Sequence, residues 1–206
     1  MALVKYNNNS ISAITTPGAL ATGAMVLIKE QTASSSSTIS FVDGTSDVVL
    51  DNTYPIYKFE FINIHPSASA DFLFQGNVDG ASGYNETITS TFFTALHKEN
   101  DATATLAYRT TYDQANGTAF QTLSYETGTD NDQSVSGYLQ LFNPSDTTFV
   151  KHFIGECNNY HNFPRSEHCF VAGYFNVTGA INAIQFKMSS GNMDAGKIKL
   201  YGIKDS

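Results

Sequence analysis

The sequence contains no tryptophan, only two cysteines and five prolines, and no Lys/Arg cluster longer than two residues. Two cysteines cannot form a disulfide framework, so any stability must come from a buried core, and 206 residues are enough to build one. The formal net charge is −8, from 19 acidic and 11 basic side chains. Without a positive surface to displace counterions, broad phosphate-backbone binding is excluded, and no nucleic-acid partner is expected. Long apolar runs are missing too. The most apolar early stretch, residues 17–28, is interrupted by Thr and Gly and is too short to span a bilayer. Neither a secretory leader nor membrane insertion is expected, and synthesis in a cytoplasm follows from that. No phosphate-binding glycine loop, dinucleotide fingerprint, zincin motif or paired-carboxylate signature is present, so neither a cofactor nor enzymatic chemistry is expected.

What the chain does contain is aromatic residues, 15 Phe and 11 Tyr, within a composition that is 41% hydrophobic and 15% charged. That balance favours a β-rich folded chain over a disordered one. From Met25 onward, short runs of period two recur between Gly, Asn, Asp, Ser and Pro. The clearest is YPIYKFEFINI, in which Tyr57, Phe59 and Phe61 share one face while Lys58, Glu60 and Ile62 share the other. Further runs are STISFV, ADFLFQ, TSTFFTALHK, GYLQLFN, TTFVKHFIG, HCFVAGYFNV, NAIQFKMS and GKIKLYGI, with shorter candidates near residues 47–50, 103–108 and 120–123. They predict roughly ten strands and no helix. TSTFFTALHKEN also suits a helical face through Phe92, Phe93 and Leu96, but Thr and Phe dominate it, so strand is preferred. The expected fold is all-β: an antiparallel β-sandwich in jelly-roll form. Phe59, Phe61, Phe72, Phe74, Leu139, Leu141, Phe149, Phe153, Phe186 and Leu200 should point inward.

The beginning of the chain reads differently. Residues 1–24 are rich in Asn, Ser, Thr, Ala and Gly, with Leu3, Val4, Tyr6, Ile11, Ile14 and Leu20 scattered among them. These are too sparse for a core and too apolar for a solvating tail. They predict an extended attachment arm on a sandwich domain of residues 25–206, with Leu3, Val4, Tyr6, Ile11 and Ile14 as its contacts with a partner subunit.

Candidate chemistry is concentrated in CNNYHNFPRSEHC, residues 157–169, which holds both cysteines and two of the five histidines. Cys157, His161, His168 and Cys169 match zinc in number and type, but neighbours His168 and Cys169 would face opposite ways in a strand. A disulfide is the second alternative. The preferred reading is an ordinary connecting loop with two reduced thiols and no metal. Asp130, Asn131 and Asp132, and likewise Asp43 and Asp47, form turns more readily than a calcium site. The loop DGASGYNET, residues 79–87, combines glycine with Asp79, Tyr84 and Asn85, a composition suited to recognising sugars or protein surfaces. It is the candidate ligand-recognition loop, set against the simpler reading of an exposed turn.

Several stretches also carry a resemblance: MALVKYNNNS, LIKEQTASSSSTISF, YKFEFINIHP, LFNPSDTTFVKHF and AIQFKMSSGNMDAGKIKLYGI. Through them most of the chain resembles small virion structural proteins of tailed bacteriophages, especially those of marine bacteria. The resemblance implies a non-enzymatic virion component whose arm attaches to the particle and whose β-sandwich is displayed outside. A head decoration protein, clamping the capsid as a homo-oligomer in trimer form, is the leading expectation. The alternative is a tail-fibre or receptor-binding module that recognises a host surface glycan or protein. A polysaccharide depolymerase would need two suitably placed carboxylates, for which no signature is visible.

Overall fold

The computed structural model describes residues 24–80 and 83–204. The chain-order strands are β1 (Met25–Thr32), β2 (Thr38–Val42), β3 (Ile56–Pro66), β4 (Ala70–Asn77), β5 (Ile88–Lys98), β6 (Ala104–Tyr108), β7 (Gln121–Thr127), β8 (Val135–Phe142), β9 (Lys151–Tyr160), β10 (Arg165–Phe175), β11 (Ala183–Met188) and β12 (Met193–Ile203). Every pairing is antiparallel, and no helix occurs among the described residues. Residues 1–23, with Leu3, Val4, Tyr6, Ile11 and Ile14, lie outside the described part.

Two sheets result, an eight-stranded one in the order β1-β12-β3-β8-β9-β10-β5-β6 and a four-stranded one in the order β2-β11-β4-β7. The connectivity identifies a jelly roll. Of the chain-adjacent pairs, β1–β2, β3–β4, β7–β8 and β11–β12 are each split between the sheets, so each link crosses the sandwich. The pairs β5–β6 and β9–β10, inserted after β4 and β8, widen the larger sheet beyond the smaller one. Residues 109–120 fold back along β5, with Arg109 N–H donating to Phe92 O (2.9 Å) and Ser90 N–H to Gln114 O (2.9 Å).

Alternation places one face of each strand in a phenylalanine-rich core. Phe59 of β3 meets Phe186 of β11 at 5.2 Å between ring centroids, Phe61 meets Phe72 of β4 at 4.9 Å, and Phe74 meets Phe153 of β9 at 5.1 Å. All three pairs cross the sandwich edge to face, the arrangement ring quadrupoles favour. Phe59, Phe61, Phe72, Phe74, Leu139, Leu141, Phe153, Phe186 and Leu200 are all buried as expected. Phe149 is the exception, at 70% exposure. Its parity is that of Phe153, but β9 begins only at Lys151, because Asp146 Oδ1 accepts the Thr148 and Phe149 N–H groups and folds that segment into a turn. The inward position is taken by Lys151, fully buried, whose Nζ donates to the carbonyls of Phe149 (2.8 Å), Val177 (3.3 Å) and Thr178 (2.8 Å).

TSTFFTALHK forms a strand, with Phe92 inward and Phe93 outward. Residues 47–50 are not a strand, although Val48 and Leu50 are buried. Strand β1 was not among the expected runs, and a register shift between Leu27 and Lys29 explains why its apolar residues do not alternate cleanly.

Candidate functional site

The thirteen residues 157–169 are not a loop. Cys157 to Tyr160 end β9, Arg165 to Cys169 begin β10, and only His161, Asn162, Phe163 and Pro164 turn the chain. The two arms are register partners, Ser166 with Tyr160, Glu167 with Asn159, and Cys169 with Cys157. Pro164, which has no N–H to donate, sits just before β10 where none is needed. The turn is closed by the imidazole, since Phe163 N–H donates to His161 Nδ1 (3.1 Å).

The hairpin's inward side carries polar groups beside its two cysteines. Glu167 is fully buried, and its Oε1 accepts the Tyr125 hydroxyl of β7. Arg165 Nε lies 2.7 Å from Glu167 Oε2, an ion pair somewhat off hydrogen-bond alignment. Arg109 approaches Oε1 at 3.7 Å, donates through Nε to Thr94 Oγ1 (3.1 Å) and lies over the Tyr125 ring. Asn159 Nδ2 donates to Tyr125 O (3.0 Å), fastening the smaller sheet to the larger one.

His161 completes this layer and is itself buried. Because Nδ1 accepts from the backbone, its proton resides on Nε2, which lies 2.8 Å from Glu126 Oε2. Glu126 reaches it through a distortion of β7. The strand's register shifts there, Glu126 adopts φ +48°, and its N–H donates to Asp71 Oδ1 (2.9 Å). Burial, reinforced by the charges of Arg165 and Arg109, pushes the His161 pKa down to about 4, so the ring is neutral at pH 7.

The chemistry available here is limited by the same contacts. His161 Nδ1 accepts the Phe163 N–H, while Nε2 lies within ion-pair distance of Glu126 but off hydrogen-bond alignment, and the ring is wholly buried, so neither nitrogen is open to a substrate. Burial and the hydrogen bond to Glu167 raise the Tyr125 pKa, keeping it a phenol. Cys157 and Cys169 are free and buried; desolvation raises the Cys157 thiol well above its usual range and the Cys169 thiol to about 12. Both therefore lack thiolate character near pH 7. His168 is on the outer face, tilted against Phe170 and 3.7 Å from Glu156, away from the thiols. Among the described residues no group of three or more His, Cys, Asp or Glu side chains is arranged to hold a metal.

The proposed recognition loop lies elsewhere. It follows the Asn77 end of β4, whereas the β9–β10 turn adjoins Thr127, whose register partner in β4 is Ala70 at the opposite end. Asp79 and Asn85 are exposed there and Tyr84 is half-buried, between Gly80 (φ +96°) and Glu86, whose Oε1 accepts the Val78 N–H (3.1 Å). Sequence reasoning missed Arg109, Tyr125, Glu126 and Glu167. One signal was present: Arg165, Glu167 and Cys169 occupy successive positions of one strand face, a pattern that buries charge only when a partner waits opposite.

No family model, curated protein or solved structure matches the chain.

Proposed function

We propose that the chain is a non-enzymatic bacteriophage virion structural protein displayed on the particle surface, a head decoration protein that binds the capsid as a homo-oligomer in trimer form. The resemblance running from MALVKYNNNS to GKIKLYGI supports this reading, and the observation that carries it is the β1 margin of the larger sheet. Among the described residues strand β1 is an edge, hydrogen-bonded to β12 alone. Beside it an apolar row crosses four strands in register on the outer face: Met25, Ile203, Ile56 and Phe142. Met25 and neighbouring Leu27 are about half exposed. An open edge next to an apolar row suits a second chain, and both adjoin the start of the described residues, where the arm joins the sandwich.

Such an attachment gains strength through many copies on a symmetric lattice, each adding modest contact energy. The experiment is a particle reconstruction with copy counting. Hundreds of copies on the shell support decoration, and absence from the particle overturns the virion reading. A few copies at the tail would favour the second reading, a tail-fibre or receptor-binding module, for which the exposed aromatic at the β9–β10 tip is the specific support.

A further inference from the structure

The tips of β5–β6 and β9–β10 meet around a pocket of about 700 Å³ lined by Lys98, Glu99, Asn100, Phe163, Pro164 and Arg165. The two tips are tied, since Glu99 N–H donates to Pro164 O (3.2 Å) and Lys98 pairs with Arg165 in the ladder. Phe163 is 61% exposed yet held from behind. Its ring stacks on the His161 imidazole, with centroids 5.7 Å apart and planes 18° apart, and His161 is anchored by the Phe163 N–H and Glu126. An aromatic ring fixed in place and facing water is a preformed platform rather than a stray apolar residue.

Around that platform the polar groups are mixed in sign. Glu99 supplies an exposed carboxylate near the Tyr160 hydroxyl. Asn100 accepts the Ala102 N–H through Oδ1 (3.1 Å), which keeps its amide nitrogen as a donor. Lys98 and Arg165 add cationic donors, with Arg165 steadied by buried Glu167. A wholly apolar ligand would leave these groups without partners. A polyanion would meet Glu99 and a chain of net charge −8. A sugar ring satisfies both demands, because one face is C–H and its rim of hydroxyls both donates and accepts.

We infer that this pocket binds an uncharged pyranose of a glycan. The C–H face of the ring stacks on Phe163, and its hydroxyls donate to Glu99 and accept from Asn100 and Lys98. The site lies away from the β1 margin, so it operates whether the chain sits on the head or at the tail.

The test is saturation-transfer NMR on the purified full chain, without particles, using methyl β-glucoside, methyl β-galactoside and N-acetylglucosamine as probes at millimolar concentration. At least one sugar should receive saturation, and Phe163→Ala should weaken its binding by about tenfold or more. Asn100→Ala, at an exposed turn, is the second variant and should also weaken it. Phe149→Ala, an exposed aromatic just before the opposite end of β9, should leave it unchanged. Transfer to none of the sugars, retention in both Phe163→Ala and Asn100→Ala, or loss in Phe149→Ala overturns the inference. So does binding of a proline-rich peptide with no sugar bound. None of these outcomes bears on capsid attachment, which is read from particles.

Discussion

Arg165 Nε lies 2.7 Å from Oε2 of Glu167, a carboxylate with no solvent exposure. A buried charge is tolerated only while its partner remains, so removing one member should be much worse than removing both. Arg165→Met should destabilise the protein by about 3–5 kcal/mol in chemical denaturation. Arg165→Met combined with Glu167→Leu should cost clearly less than the sum of the two single changes. Additive losses would mean that the pair contributes no coupling.

His161 gives the same layer a pH dependence. Its folded pKa is about 4 against an ordinary 6.5, so the unfolded chain binds the proton more readily. The associated stability is present in full above pH 6.5 and is lost as pH falls toward 4, by up to about 3 kcal/mol. Asp51 and Asp146, whose pKa values are lowered mainly by hydrogen bonds, add their own losses at lower pH. The relevant measurement is therefore the difference between the native chain and His161→Asn, which keeps an acceptor for the Phe163 N–H. The variant should show a flatter profile between pH 6.5 and 4, and parallel profiles would count against the buried neutral imidazole.

The two readable parts of the fold were those with local signals. Tyr57, Phe59 and Phe61 alternate with Lys58 and Glu60, and Phe72 and Phe74 share one parity between Asp71 and Gln75, so period two alone places them inward. The hairpin 157–169 carried no such signal because its inward positions hold Asn159, Glu167 and two cysteines. What makes Glu167 an interior residue is Tyr125, 42 positions earlier in the chain. A partner supplied by the opposite sheet leaves no local trace in the strand that needs it. The loop at Asp79, Tyr84 and Asn85 stands out by composition, whereas Phe163 is set apart only by the His161 imidazole that holds it, a contact with no pattern in the sequence.

Lys151 shows that parity can be right for an unexpected residue. Three carbonyls converge on its ammonium from two loops, and Lys151→Met would leave all three without that donor. A loss of about 2–4 kcal/mol is expected. Hydrogen exchange should accelerate in residues 143–150 and 176–180 before the rest of the sandwich, and uniform exchange would argue against a loop clamp.

Cys157 and Cys169 face each other in the ladder as free, buried thiols. Raised pKa values and burial together predict negligible reaction with an aromatic disulfide reagent in the native state near pH 7. Two equivalents of thiol should appear on unfolding. Rapid native labelling would show that the hairpin opens far more readily than its contacts imply.

The arm remains the critical test of attachment. Leu3, Val4, Tyr6, Ile11 and Ile14 carry apolar surface spread too thinly to form a core, and the sandwich from Met25 onward already closes its own phenylalanine interior. Removing residues 1–22 should therefore leave a folded domain whose thermal midpoint shifts by only a few degrees. Binding to particles, or self-association, should be lost, because the deleted segment would no longer bridge to a partner. Met25→Lys and Leu27→Lys in the full chain offer a second route to the same answer, placing charge on the exposed outer face of the β1 margin without shortening the arm. Weakened attachment in both cases, with the fold intact, would tie arm and edge to one surface. If truncation unfolds the protein instead, residues 1–22 belong to the sandwich itself, and the attachment surface must be sought elsewhere.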